Sequence, residues 1–159
     1  MASPIGRLEL VEAGGALVAI HFDAPADGSP QHERSGSPVL AEAHRQLAEY
    51  FAGRRRVFEL PLRPVGTEFR RRVWDVLATV PWGTTTTYGT LATRLGLPPG
   101  ASRAVGAANG ANPLPIVLPC HRVIGSDGTL IGYAGGLARK AQLLRLEGIA
   151  TEADQDALF

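Results

Sequence analysis

The chain has 159 residues, 45% hydrophobic and 19% charged, with a formal net charge of +1, a balance that suits a globular protein of one domain or two small ones and excludes a disordered or fibrous chain. No apolar run reaches the roughly 18 residues that cross a bilayer, and Met1-Ala2-Ser3-Pro4 lacks a charged-then-apolar leader. A cytoplasmic protein that does not enter membranes is therefore expected.

Alternating apolar residues over Gly6 to Glu12 and Ala16 to Phe22, either side of Ala13-Gly14-Gly15, predict a two-stranded hairpin. A Pro-, Gly- and Ser-rich loop follows from Asp23 to Gly36. Ser37-Pro38 then reads as an N-cap with proline in the first turn, and Leu40, Leu47 and Phe51 recur at helical spacing before Gly53 ends the helix. Val57 to Leu62 suits a returning strand. Beyond Arg63-Pro64-Val65-Gly66, Thr67 suits the N-cap of a helix with Phe69, Val73, Leu77 and Val80 on one side, stopped by Pro81-Trp82-Gly83.

A second helix of this half is expected from Thr86 or Thr87 to Gly96, with Leu91 and Leu95 inward. Ser102 is expected to cap a short, small-residued third helix to about Ala108. Two short helices joined by Gly96 to Ala101 suit a helix-turn-helix against a DNA groove, or plain packing. Asn112 to Pro119 reads as extended, Val123 to Tyr133 as a hairpin turning at Ser126-Asp127-Gly128, and Leu137 to Glu147 as a helix ended by Gly148. The last residues read as a solvated acidic tail.

Charge is uneven along this plan. Residues 67–148 hold nine basic and four acidic side chains, a local +5, whereas residues 1–66 and 149–159 are neutral to acidic. Fifteen of the sixteen basic residues are arginine, the better side chain for forked contacts to phosphate or a base edge. Arginine-rich coding would give the same count.

The single cysteine, Cys120, excludes an internal disulfide. With His21, His32, His44 and His121 it shows no zinc spacing, so neither metal nor cofactor is expected. Cys120 lies in Pro119-Cys120-His121-Arg122-Val123. A free thiol titrates at about 8.5, and a neighbouring cation or base can lower it to give a thiolate nucleophile. An apolar setting can equally leave it buried and inert. In a strand, Cys120 and His121 would face opposite sides, so their link would run through a water.

Ile116-Val117-Leu118-Pro119-Cys120-His121-Arg122-Val123 resembles the active-site signature of the O6-alkylguanine-DNA alkyltransferase family. Arg103-Ala104-Val105-Gly106, Asn112-Pro113, Tyr133 and Gly135-Gly136-Leu137 through Glu147-Gly148 resemble its other motifs. The likeness covers Thr67 to Gly148; the first 60 residues share only its layout of hairpin, loop and helix, starting from Ser3-Pro4-Ile5-Gly6. It implies an α/β (α+β) protein with a scaffold unit at residues 1–62, a helix-turn-helix, winged-helix-like active-site domain at 67–148 and the acidic tail at 149–159.

The resemblance further implies irreversible, single-turnover transfer of an alkyl group from guanine O6, or thymine O4, to Cys120. His121 would take the thiol proton through a water and Glu147 would orient the imidazole, an unusual post for a carboxylate at a helix C-terminus. Exchange of Glu147 for Gln is expected to keep the fold. Asn112 would brace the active-site turn, Tyr88 would bond the flipped guanine, and Tyr133, the Val123 backbone and Ala134 would line the base pocket. Many relatives carry serine at the Ala134 position, so a hydroxyl contact to O6 is missing. Arg103 would fill the vacated stack, with Thr87, Ser102 and Gly106 near the backbone of double-stranded DNA carrying alkylated guanine. A monomer in solution is expected, with cooperative binding on DNA left open. The competing readings are a non-catalytic sensor of alkylated bases, a cysteine hydrolase and a plain helix-turn-helix regulator.

Overall fold

The computed structural model describes residues 1–25 and 37–151. It has two compact units, Met1–Val65 and Gly66–Phe159.

The first unit is built on the antiparallel pair β2 (Gly6–Ala13) and β3 (Ala16–Phe22), in register from Leu8↔Phe22 to Ala13↔Ala16 with one irregularity at Val11/Glu12. Gly14 and Gly15, with φ of 58° and 81°, make the turn, a conformation that a Cβ would oppose. A two-residue strand, β1 (Ala2–Ser3), adds to the β2 edge and has no sequence signal of its own. Alternation turns Leu8, Leu10 and Ile20 inward, and the irregularity at Val11/Glu12 brings Leu17 to the same face. Onto the hairpin packs α1 (Pro38–Phe51), started by Ser37, whose hydroxyl accepts the Leu40 N–H at 3.3 Å. Its buried face is Leu40, Ala43, Gln46, Leu47 and Tyr50.

Most of the Asp23–Gly36 loop, residues 26–36, lies outside the described residues. Val57 to Leu62 is not a strand: it touches the sheet only through the Leu17↔Leu62 bridge. Pro61 has no N–H to give a ladder. The Gln46 amide takes its place, donating to Glu59 O at 3.0 Å and accepting the Glu59 N–H at 2.8 Å.

In the second unit, Thr67 caps α2 (Glu68–Leu77) by accepting the Arg70 N–H at 3.2 Å, and Val73, Trp74 and Leu77 form its buried face. The Trp74 indole donates to Ala108 O at 2.8 Å. That bond pins α2 to α4 (Ser102–Gly110). Between them, Thr87 caps α3 (Tyr88–Arg94), and Gly96, at φ 72°, turns the chain away. The α3–turn–α4 pair is the expected helix-turn-helix. Ser102 is not its cap, however: residues 99–101 already form a 3-10 turn, so Ser102 is the first residue of α4 and Ala101 precedes it in helical conformation.

Beyond α4 the chain winds through β5 (Val123–Ile124), which pairs in parallel with β4 (Thr86–Thr87), to α5 (Leu137–Leu146). Gly148, at φ 81°, follows the Glu147 cap. The turn at Ser126-Asp127-Gly128 forms, closed by Gly128 N–H to Gly125 O at 2.9 Å. No second hairpin arm follows it among the described residues; glycines at 132, 135 and 136 give that stretch no side chains to pair across a ladder. Of the acidic tail, residues 152–159 lie outside the described residues.

Candidate active site

Residues 112–119 are a compact turn, not the extended run that the prolines suggested. Pro113, Pro115 and Pro119 cannot donate to a ladder, and one side chain supplies the missing closure. The Asn112 amide donates to Leu118 O at 2.8 Å, and its oxygen accepts the Leu114 N–H at 2.9 Å. At the centre Ile116 sits at φ 77°, a rare conformation for a β-branched residue. Cys120, His121 and Arg122 then form a single 3-10 turn, entered from Pro119 and left into β5. Successive side chains of such a turn fan out roughly 120° apart, so the strand alternation expected for Cys120 and His121 does not apply.

The fan sends His121 and Arg122 to one carboxylate. His121 Nε2 lies 2.6 Å from Glu147 Oε2, while Arg122 donates through Nε to Oε1 at 2.7 Å and through Nη2 to Oε2 at 3.0 Å. Arg122 Nη1 also donates to Val80 O at 2.6 Å, and the Gly83 N–H reaches Glu147 Oε1 at 3.5 Å. All three side chains are buried. A carboxylate gripped by a guanidinium remains ionised and acceptor-only, so the proton between it and the ring belongs on His121 Nε2. That leaves Nδ1 with a lone pair, and Nδ1 meets no hydrogen-bond partner among the described residues.

Burial pushes His121 below its ordinary pKa, against the hydrogen bond and charge of Glu147 that raise it. The ring is thus a neutral base at pH 7. Burial also pushes the Cys120 thiol up to about 11, with the Asn112 amide and the Lys140 charge opposing it. Of the two states the sequence leaves open for the thiol, the free site has the buried one: desolvation outweighs the Asn112 hydrogen bond and the Lys140 charge, and the sulfur keeps its proton at neutral pH.

Cys120 opens onto a cavity of about 110 Å³ lined also by Tyr88, Asn109, Asn112, Tyr133 and Ala134. Gly106 and Gly110 of α4 and Gly132 complete much of its wall. The Tyr88 phenol donates to Ile131 O at 3.2 Å, and burial raises its pKa, opposed by Asn109. Burial drives the Tyr133 phenol well above its ordinary value. Of the residues expected in the pocket, Val123 is not part of the lining; it is fully buried and pairs with Thr86. Its two-residue strand takes it back into the core. Arg103 is exposed at the second position of α4, Ser102 is half-buried beside it, and the Thr87 hydroxyl is engaged with the Thr90 N–H at 3.1 Å.

Sequence reasoning passed over Arg122, Asn109 and Lys140. Arg122 stood inside the motif, but its contact with Glu147 spans 25 residues, beyond local pattern. Lys140 had a signal, as the only lysine among sixteen basic residues.

Fold and site together define a helix-turn-helix protein built around one buried cysteine with a histidine–carboxylate pair behind it. Residues 68–149 match the family described as 6-O-methylguanine DNA methyltransferase, DNA binding domain, and residues 1–64 match 6-O-methylguanine DNA methyltransferase, ribonuclease-like domain. The chain is 59% identical over 160 residues to the methylated-DNA–protein-cysteine methyltransferase of Salmonella typhimurium, covering 93% of each chain. It is 48% identical over 151 residues to that of Mycobacterium leprae, covering 92% of this chain and 89% of the relative. Its structure resembles a Mycobacterium tuberculosis protein of this kind crystallised in complex with DNA, with a TM-score of 0.82, 41% identity, and coverage of 100% of this chain and 97% of that one. The chain belongs to the 6-O-methylguanine DNA methyltransferase family.

Proposed function

We propose that this protein repairs double-stranded DNA by transferring the alkyl group of an O6-alkylguanine to Cys120 Sγ, once per molecule. The observation that carries this reading is the junction of a buried, protonated thiol at the foot of a cavity with a neutral His121 whose free Nδ1 is backed by Glu147 and Arg122. As sulfur attacks, the S–C bond forms and the C–O6 bond breaks. The thiol proton passes through a water to Nδ1, and the departing guanine receives a proton or hydrogen bond from the Tyr88 phenol. The net change is a thioether and an unmodified guanine. No reductant reopens a thioether, which makes the reaction stoichiometric.

A base stacked in a duplex cannot meet the thiol of a cysteine that is only 5% exposed, so the base is flipped, at a cost of a few kcal/mol. Arg103, exposed at the start of α4, suits the place left in the stack, and the same helix walls the cavity through Gly106 and Gly110. Tyr133 and Ala134 bound the base pocket, with Asn112 holding the turn beneath it. No described helix is long and apolar enough to cross a membrane, and a single reduced thiol as reagent suits the cytoplasm.

Intact-protein mass spectrometry after incubation with methylguanine-containing duplex tests the reading. One added methyl group, mapped to Cys120, with none on Cys120→Ser, is the expected outcome; an adduct elsewhere, or more repaired base than protein, contradicts it. Arg103→Ala should slow repair of duplex roughly tenfold or more, as loss of a group that offsets unstacking implies, while its reaction with free O6-benzylguanine stays near wild type. Equal losses on the two substrates would remove Arg103 from the flipping step.

A further inference from the structure

Lys140 lies in the first turn of α5 with none of its surface exposed. Two features make that an expensive place for an ammonium. Burial draws its pKa down to about 8, and a cation near a helix N-terminus opposes the helix dipole. A methionine of similar length would avoid both costs. What the ammonium gains is a pair of backbone carbonyls: Nζ donates to Ile131 O at 2.8 Å and to Gly132 O at 3.1 Å.

Those carbonyls belong to a segment without regular structure. Between the turn bonds Gly125 N–H to Thr129 O and Gly136 N–H to Tyr133 O, two side chains reach in to tie its backbone, Lys140 and Tyr88. Both meet at the same atom, since Ile131 O also accepts the Tyr88 phenol at 3.2 Å. The tied stretch runs directly into Gly132, Tyr133 and Ala134, one wall of the cavity over Cys120. A compact ammonium with three donors suits two convergent carbonyls, a geometry that the planar fork of arginine serves less well.

We propose that Lys140 is a positioning residue for alkyl transfer: its buried ammonium fixes the Ile131–Gly132 backbone, and through it the Tyr88 phenol and the Tyr133–Ala134 wall, in the arrangement that receives the base. The inference rests on the alkyl-transfer reading. It accounts for the one lysine of an arginine-rich chain standing where solvent does not reach.

The test compares wild type, Lys140→Met and Lys140→Arg in single-turnover reaction with free O6-benzylguanine, alongside alkylation of Cys120 by iodoacetamide, which needs no fitted pocket. Lys140→Met should raise the half-saturating benzylguanine concentration and slow transfer together by roughly 10- to 100-fold, the scale of a small misplacement. Iodoacetamide reactivity should change far less, and Lys140→Arg should recover part of the loss. A Lys140→Met protein with wild-type kinetics overturns the proposal, as does one whose thiol reacts faster with iodoacetamide, the mark of a loosened fold. Wild-type protein that takes no benzyl group would instead overturn the alkyl-transfer reading itself. Should Lys140→Met not fold, lysine labelled with ¹³C at Cε gives a single resonance in the full chain with Cys120→Ser. That signal should shift when duplex carrying O6-benzylguanine is bound, and an unmoved signal at saturation overturns the proposal.

Discussion

The two units spend charge in opposite ways. In Met1–Val65 the core is Leu8, Leu10, Leu17, Ile20, Leu47 and Tyr50, its one buried polar side chain among the described residues is Gln46, and its ion pairs stay in reach of solvent: Arg45 binds Glu42 and Glu49, and Arg55 meets Glu49 half-buried. In Gly66–Phe159 the buried set includes Asn109, His121, Arg122, Lys140 and Glu147. Exposed pairs contribute little because water and salt already screen them. Buried ones carry a desolvation cost that well-packed apolar residues would avoid. The unit that accepts this cost is the one with the thiol, and its charged groups converge within the surroundings of Cys120.

This contrast can be broken by measurement. The largest effect concerns the thiol. With Cys120 raised by burial to about 11, its alkylation by iodoacetamide in DNA-free protein should climb tenfold per pH unit, roughly 10⁴ between pH 7 and 11. A plateau already at pH 9 would mean that burial does not govern it. The sign carries over to stability: the protonated thiol favours the folded state below its ordinary range, and that contribution is lost as pH rises through about 11.

Next comes Glu147→Gln. It was expected to spare the fold, but the structure gives Glu147 two clients, and removing its charge leaves Arg122 buried without its counter-ion. A loss of about 3–5 kcal/mol in denaturant unfolding is expected, as for other broken buried pairs, together with slower transfer. An unchanged unfolding midpoint would show that Arg122 finds another partner.

Smaller is Gln46→Leu in the first unit. It strands the Glu59 N–H and carbonyl that the amide now satisfies, for a cost of about 1–3 kcal/mol, while the transfer rate of the folded protein stays the same. A change in transfer rate would blur the division of labour. Smallest is Arg45→Ala. The Arg45 hydrogen bond lowers Glu42 to about 2, yet both groups are solvated, and thermal unfolding should not move measurably.

Much of this division was legible in the sequence where signals are local. Ser37, Thr67 and Thr87 marked helix starts because a cap is a contact over three residues, and Gly96 and Gly148 marked ends because only their backbone takes those φ values with ease. The motif around Cys120 singled out the thiol that opens on the cavity and the imidazole that meets Glu147. Misreadings came where a distant group replaced a local one. Residues 57–62 looked like a strand until Gln46 took the place of a ladder, and 112–119 looked extended until Asn112 closed it. Ser102 resembled a cap because the preceding 3-10 turn leaves no mark of composition. The Glu147–Arg122 clamp and the Lys140 anchor join positions whose nearness exists only after folding.

The solitary lysine also gives this chain an internal gauge of its own opening. A lysine-specific protease has one peptide bond to cut, after Lys140, and that bond lies in α5 beside a side chain sealed from solvent. Cleavage therefore proceeds only through molecules in which α5 has come undone, and the yield of the 1–140 fragment counts them directly. Each digest becomes a reading of how often the helix over the reactive turn lets go.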